Sequence, residues 1–139
     1  MNAFLDSSVI LRRVLGQPTQ LDSWDSIELT VANPLVEIEC LRTLDRMRHV
    51  GLLKDDSVVT TREAAFSILR SCEVMHLGPA ILDRAGQTLP VPLKTLDAIH
   101  LACALLYRES TGKPLVMATH DRALARASRA MGLEVVGAA

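Results

Sequence analysis

The sequence has few aromatic residues and no strong excess of either charge. Its 139 residues include one Trp, one Tyr and two Phe, and the formal net charge at pH 7 is −1. Broad stacking of nucleobases on aromatic side chains is therefore not expected. Because there is no bulk positive charge, any binding of nucleic acid would have to depend on local basic patches. These shortages weaken a nucleic-acid-binding interpretation without excluding it.

Cysteines and long apolar runs are also scarce. Cys40, Cys72 and Cys103 are an odd number without the spacing of a metal site, and Cys40 and Cys103 lie in apolar helical patterns typical of packed thiols. No apolar run reaches the roughly 18 residues that a membrane span requires. The N-terminus lacks the charged segment and apolar core of a signal peptide. We therefore expect a cytoplasmic protein without a membrane partner.

Strand and helix patterns alternate along the chain. The composition, 49% apolar and 22% charged, is typical of a globular protein. Apolar runs predict strands at 3–5, 27–31, 73–77, 114–118 and 133–136. Helical patterns cover about 7–16, 34–50, 55–71, 79–86, 95–112 and 121–132, and 19–24 is a further candidate. The alternation predicts an α/β fold with a central, mainly parallel sheet and helices on both faces, and residues 1–139 are expected to form one domain.

Two of the predicted helices begin with capping residues. Ser7 or Ser8 is expected to cap the first helix by accepting hydrogen bonds from backbone N–H groups. Asn33 is expected to cap the second, with Pro34 at its first helical position.

One carboxylate interrupts a helix that is apolar on almost every face. Asp97 lies in the first turn of this helix, after the proline-rich run at 89–93. A helix that is apolar all round is normally buried, and a carboxylate buried there needs a partner or a metal. Asp6 and Asp121 stand where strands end and helices begin, at the sheet edge where ligands bind in parallel α/β folds. Glu39, one to two turns into its helix, could face the same crevice.

Four carboxylates in one crevice would raise one another's pKa values unless a counter-charge held them ionised. A divalent cation would do this, and oxygen ligands favour Mg²⁺ or Mn²⁺ over zinc. Each acid also has an ordinary structural interpretation. A lone Asp at a helix start is often a cap, and Glu39 could pair with Arg42. His100 could orient Asp97, although a packed core histidine is favoured, and His120 is expected in a solvated loop.

Four segments together resemble the PIN-domain ribonucleases. They read Phe-Leu-Asp-Ser-Ser at 4–8, Glu-Cys-Leu-Arg at 39–42, Leu-Asp-Ala-Ile-His-Leu-Ala at 96–102 and Thr-His-Asp at 119–121. The spacing and length are similar to those of VapC-like toxins from bacterial and archaeal toxin–antitoxin pairs. The resemblance covers nearly the whole chain, and it is most specific around Asp97 and in the Thr-x-Asp segment. It implies a PIN-like three-layer α/β/α domain with acids clustered around Mg²⁺ or Mn²⁺.

The resemblance also implies a catalytic set of four carboxylates. Asp6 and Asp97 would bind the metal directly, whereas Glu39 and Asp121 would bind a second ion, hold metal waters or help to activate the nucleophile. Whether one or two ions bind stays open. Glu37 is a competing acid, but the Glu-x-x-Arg pattern selects Glu39.

Polar and basic neighbours of these acids complete the expected site. Ser8 and Thr119 match supporting positions, and Asn33 stands where many relatives have serine. Binding RNA beside four acids requires positive charge. The candidate phosphate contacts, each equally interpretable as solvated surface charge, are Arg12, Arg13, Arg42, Arg46, Lys94 and Arg122.

The function implied is metal-assisted hydrolysis of an RNA phosphodiester. The family suggests a tRNA or rRNA loop as the substrate, and the shortage of aromatics favours recognition by shape and backbone. It also implies a cognate antitoxin whose C-terminal segment covers the acids with a basic side chain. A homodimer or a larger toxin–antitoxin assembly is expected.

Three other classes remain as alternatives. A phospho-acceptor receiver module also binds Mg²⁺ at strand ends, but it pairs two acids after the first strand and uses a late lysine. Here Ser7 and Ser8 follow Asp6, and no lysine occurs after Lys113. A dehalogenase-type phosphatase would need a second Asp where Ser8 stands. A non-catalytic interaction domain would not need to keep all four acids.

Overall fold

The structure contains five β-strands and six α-helices. It is a computed structural model that describes all 139 residues. The strands are β1 (Asn2–Leu5), β2 (Leu29–Ala32), β3 (Glu73–Val74), β4 (Val116–Ala118) and β5 (Glu134–Val136). The helices are α1 (Ser7–Val14), α2 (Pro34–His49), α3 (Asp55–Arg70), α4 (Pro79–Ala85), α5 (Thr95–Thr111) and α6 (Arg122–Ala130), and Trp24–Ser26 forms a short 3-10 helix.

All five strands belong to one parallel sheet in the order β3-β2-β1-β4-β5. The chain first moves outward from β1 to β2 and β3, and then crosses back to add β4 and β5 on the other side of β1. The strand order therefore reverses between β1 and β4, which is the position where open α/β sheets bind ligands. Leu5 is in register with Ala118 there, so the two strands end together.

The helices pack in two groups. Helices α1, α2 and α3 contact one another, whereas α5 contacts α4 and α6. Parallel crossovers are right-handed, and reversing the strand order therefore places the two groups on opposite faces of the sheet. The core between these layers includes the fully buried Phe4, Leu5, Leu44, Leu101 and Met117. The predicted α/β class is confirmed, and the sheet is entirely parallel.

All five predicted strands and the six main predicted helices are present and differ mainly at their ends. The third strand stops at Val74 instead of residue 77, because β3 pairs with β2 and β2 stops at Ala32, where Asn33 begins the next helix. The prediction of a helix at 19–24 was wrong. Thr19 has a φ of 58°, a left-handed conformation that a continuous right-handed helix cannot include. No helix of the chain is both long and apolar enough to cross a bilayer.

Two leucines of α5 differ in burial, and substituting them tests which face of this helix packs against the sheet. Leu101 is 1% exposed, whereas Leu96 on the same helix is 43% exposed. We expect Leu101→Ala to lower the free energy of unfolding by about 2–5 kcal/mol, because it leaves a cavity beneath the sheet. Leu96→Ala should change it by less than about 0.5 kcal/mol. Urea denaturation measures both, and equal losses would contradict the assigned face of α5.

Candidate active site

Asp6 follows β1 directly and lies beside the end of β4. Its backbone N–H donates to the carbonyl of Ala118 at 3.0 Å, which extends the pairing of the two strands by one residue. The side chain is 4% exposed. Its Oδ2 atom accepts hydrogen bonds from the hydroxyls of Ser8 at 2.6 Å and Thr119 at 2.8 Å. The carboxylate is thus held by two neutral donors, and no cation pairs with it.

The same two hydroxyls connect Asp6 to the segment that follows β4. Ser8 Oγ accepts from the backbone N–H of His120, and Thr119 Oγ1 accepts from that of Asp121, each at 2.9 Å. Ser7 or Ser8 was predicted to cap α1, but that prediction was wrong, because both serines lie within the helix. The N-cap of α1 is Asp6, without a side-chain capping bond, and the Ser8 hydroxyl contacts Asp6 and the segment after β4 instead.

Glu39 lies on α2 and forms a hydrogen bond with a buried histidine of α5. The distance from His100 Nε2 to Glu39 Oε1 is 2.5 Å, and His100 is fully buried while the Glu39 side chain is 23% exposed. The alternative pairing of Glu39 with Arg42 was wrong, since Arg42 forms its salt bridge with Asp45. Glu37 lies on a groove lined also by Phe66 and Arg70.

Asp97 occupies the first turn of α5 and is partly buried. Burial, the largest cause, and the negative charges of three other carboxylates together raise the pKa of Asp97 to about 6. These carboxylates are Asp6, Asp121 and Glu39. A positive charge on His100 would act in the opposite direction. All three other acids of the predicted set are therefore close enough to Asp97 to repel its charge.

Asp121 has a structural task as well as a place beside the other acids. It is the N-cap of α6, and its Oδ1 atom accepts from the backbone N–H of Leu124 at 2.9 Å. The cap leaves its second carboxylate oxygen without a protein partner. One acid of the predicted set thus both begins a helix and contributes charge to the crevice.

The crevice contains three side chains whose ligand atoms lie within 4.8 Å of one another, and these are Asp6, Glu39 and His100. Cys40 is not one of these three, and burial and the neighbouring carboxylates, Glu39 first, raise the pKa of its thiol to about 12. A thiol that keeps its proton does not bind a metal well. The available charged ligands are therefore carboxylate oxygens, which suit a hard divalent cation.

His100 is the contributor that sequence interpretation missed. It was expected to pack in the core or to orient Asp97. It does pack in the core, fully buried against Phe4, but its hydrogen bond joins it to Glu39 instead of Asp97. Its i+3 spacing from Asp97 pointed to the neighbouring acid on its own helix, whereas its actual partner is 61 residues away in sequence. His120 was expected in solvent, but its Nδ1 atom lies 2.8 Å from the carbonyl of Gly137 and its Nε2 atom is buried.

The six basic candidates fall into two sets. Three of them are engaged within the protein: Arg12 hydrogen-bonds to Thr19, Arg13 lies 4.7 Å from the centroid of the Trp24 ring, and Arg42 pairs with Asp45. The side chains of the other three form no hydrogen bond or salt bridge, and these are Arg46, Lys94 and Arg122. Lys94 precedes α5 and Arg122 begins α6, so both are next in the chain to the acidic crevice.

This chain is similar to proteins that are already known. The family model of the PIN domain matches residues 3–130. Ribonuclease VapC46 of Mycobacterium tuberculosis is 30% identical over 127 residues, which cover 84% of this chain and 94% of the relative.

Two solved structures share the fold at lower sequence identity. A toxin–antitoxin complex from Klebsiella pneumoniae matches with a TM-score of 0.64 and 16% identity, covering 89% of this chain and 91% of the other. VapBC2 from Rickettsia felis, bound to a DNA fragment from its promoter, matches with a TM-score of 0.67 and 11% identity, covering 97% of each chain.

The repulsion at Asp97 predicts a pH-dependent gain in stability for Asp97→Asn in the metal-free protein. The pKa of about 6 lies above the ordinary value of 3.8, so the folded protein binds this proton more tightly than the unfolded chain. Ionisation therefore removes stability as the pH rises through about 6, whereas well below 3.8 the acid is neutral in both states. We expect the variant to melt about 3 °C higher than the wild type at pH 8, and at the same temperature as the wild type when the pH is well below 3.8.

Scanning calorimetry in the presence of a chelator measures this difference. Asp83→Asn, at an exposed position on α4, is the matched control and should show no such dependence on pH. A variant at position 97 that melts below the wild type at pH 8 would show that the carboxylates do not repel one another.

Proposed function

This chain belongs to the PIN-domain family, and we propose that it is a divalent-metal-dependent endoribonuclease that acts as the toxin of a toxin–antitoxin pair. One observation carries the proposal: near the switch point of the sheet, Asp6, Glu39 and Asp121 lie close enough to Asp97 for their charges to help raise its pKa. The 30% identical relative is a ribonuclease. All five strands form one sheet, which supports treating residues 1–139 as one nuclease domain.

The residues of the crevice fit Mg²⁺ or Mn²⁺. Asp6 and Asp97 would hold the ion, and Glu39 and Asp121 would hold its waters or a second ion. The bonds from Ser8 and Thr119 occupy Oδ2 of Asp6 and leave its other oxygen to face the crevice. A bound divalent ion would supply a water of lowered pKa and a counter-charge for the phosphate.

The protein's own groups orient the reaction around that site. Asp6 is fixed by its two hydroxyl donors and Glu39 by His100, so neither carboxylate needs to reorganise when the substrate binds. A carboxylate that retains a free oxygen, such as Asp121, can accept the proton of the attacking water. Arg46, Lys94 and Arg122 would contact phosphates of the RNA.

The substrate we propose is a structured RNA, a tRNA or rRNA loop, bound through its backbone. A protein antitoxin is the proposed inhibitor, in keeping with a structural neighbour that is a toxin–antitoxin complex. A basic side chain from the antitoxin would neutralise the same carboxylates that bind the metal. A dimer or larger assembly and a cytoplasmic location remain predictions.

The alternatives have less support. The receiver-like and phosphatase-like interpretations depend on other motifs than those of the PIN domain, to which the chain belongs. A non-catalytic interaction domain would have no reason to place acids where they repel one another. An activity assay separates this last class from the enzyme.

Glu39→Gln tests the proposed reaction against a matched control. We expect it, like Asp6→Asn and Asp97→Asn, to reduce metal-dependent RNA cleavage by about 100-fold or more, because an acid of the site is lost. Glu37→Gln, two residues away on the same helix but facing the neighbouring groove, should cut at the wild-type rate. The assay maps RNA 5′ ends with and without Mg²⁺ or Mn²⁺. Equal cleavage by all of these variants would overturn the assignment.

Arg122→Gln tests the RNA contact. The measurement uses an Asp97→Asn background, in which cleavage of the RNA is suppressed. We expect Arg122→Gln to weaken RNA binding. The slope of the logarithm of the binding constant against the logarithm of the salt concentration should be smaller by about 0.7, the value for one phosphate contact on a single strand. Arg129→Gln is the control, since Arg129 lies in the last turn of the same helix and bonds to the carbonyls of Ala138 and Ala139. An unchanged slope for Arg122→Gln would remove this residue from the interface.

A further inference from the structure

The amide of Asn33 is buried and uses its whole hydrogen-bonding capacity. Asn33 is 1% exposed. Its Oδ1 atom accepts from the backbone N–H groups of Leu35 at 3.0 Å and Val36 at 3.2 Å. Its Nδ2 atom lies 3.0 Å from His100 Nδ1 and 3.4 Å from Cys103 Sγ. An amide offers two acceptor sites and two hydrogens, so none remains free.

The helix that Asn33 caps determines which way round the amide lies. The first N–H groups of a helix have no partner within the helix and can only donate. If the amide were reversed, its NH₂ group would face the two N–H groups of Leu35 and Val36. Asn33 must therefore direct oxygen at α2 and nitrogen at His100.

This orientation assigns the proton of His100. Because Asn33 presents an N–H to Nδ1, that nitrogen must accept, and the neutral ring must carry its hydrogen on Nε2. Nε2 faces Glu39 Oε1 at 2.5 Å, so it donates to the carboxylate. The ring is fully buried and packs against Phe4 with 5.7 Å between the ring centroids, which holds its plane in place.

By position alone, His100 could be a metal ligand, since a nitrogen of its ring lies within 4.8 Å of ligand atoms of Asp6 and Glu39. A histidine that binds a metal uses a bare nitrogen, and its other nitrogen usually donates N–H to an acceptor. The surroundings of His100 are the reverse of this. Its Nδ1 atom faces a donor, and its hydrogen points toward the site.

We propose that Asn33 and His100 are positioning residues: Asn33 holds the His100 hydrogen on Nε2, so that His100 orients Glu39 and is kept out of the metal's coordination shell. The part of the inference that concerns the metal rests on the proposed function. The consequence is a site whose ligands are oxygen atoms only. Such a site prefers Mg²⁺ or Mn²⁺, whereas an added imidazole would favour zinc.

Asn33→Asp reverses the polarity of this contact while keeping the cap. One carboxylate oxygen can still accept from α2, since Asp and Asn cap helices equally well, but the other would present an acceptor to His100 Nδ1. We expect ¹⁵N NMR of the metal-free wild type to show the His100 hydrogen on Nε2, and that of Asn33→Asp to show a hydrogen on Nδ1. Asn33→Ser, a cap without a second group, is the matched control and should retain the hydrogen on Nε2, facing Glu39.

Metal titration tests the second half of the proposal. With ZnCl₂ alone in calorimetry, we expect Asn33→Asp to bind zinc about 10–100-fold more tightly than the wild type, with a smaller change for Mg²⁺. Adding His100→Gln should remove the zinc gain if His100 is the new ligand. A gain that survives this second substitution would come from the added charge and would overturn the proposed exclusion.

Single variants of His100 test its effect on Glu39. His100→Gln, whose amide can donate to Glu39 from nearly the same place, should retain most of kcat, whereas His100→Leu should lower kcat about 10–100-fold with little change in KM. Equal kcat values for the two would overturn the positioning role.

The NMR measurement needs neither metal nor RNA, so the two hypotheses fail separately. A hydrogen on Nδ1 in the wild type would overturn the inference even if RNA is cut. Absence of cleavage with the hydrogen on Nε2 would overturn the proposed function and leave the Asn33–His100–Glu39 contact standing.

Discussion

The pairing of β1 with β4 is the constraint on which the site depends. These strands are far apart in sequence, and their register places Leu5 beside Ala118. Asp6 and Thr119 therefore follow the sheet edge side by side and meet through a 2.8 Å hydrogen bond. Because the chain turns outward from β1 in one direction and from β4 in the other, no connection covers the space beyond them. The acids of α2 and α5 border that open space.

The protein holds these acids with neutral donors. Hydroxyls bind Asp6, an imidazole binds Glu39, and a backbone N–H binds Asp121. An arginine in any of these places would have neutralised the charge that the site needs for a cation. The repulsion that remains is visible at Asp97, whose pKa is raised to about 6. The arrangement therefore costs some stability in the metal-free protein, as is common for functional sites.

The donors that orient the acids are themselves held by other groups, so the geometry of the site depends on residues that lie outside it. Glu39 is oriented by His100, and His100 by Asn33, whose own orientation is determined by the start of α2. The Asn33 cap of α2 and the Glu39 carboxylate thus belong to one series of hydrogen bonds. Ser8 does the same for Asp6, since its hydroxyl also accepts from the backbone beyond β4. The hydrogen bonds that hold the local backbone are therefore connected to those that orient the acids of the site.

The sequence by itself determined the α/β class, the parallel sheet, the cap at Asn33 and the resemblance to PIN domains, because apolar periodicity, capping chemistry and short motifs are local properties of the chain. Local patterns could not determine where β3 ends, which depends on the length of its partner β2. Nor could they show that His100 contacts Glu39 instead of Asp97. Side chains that are neighbours on one helix point along its surface, whereas a contact between helices depends on how the sheet brings them together. Only the tertiary structure decides such contacts.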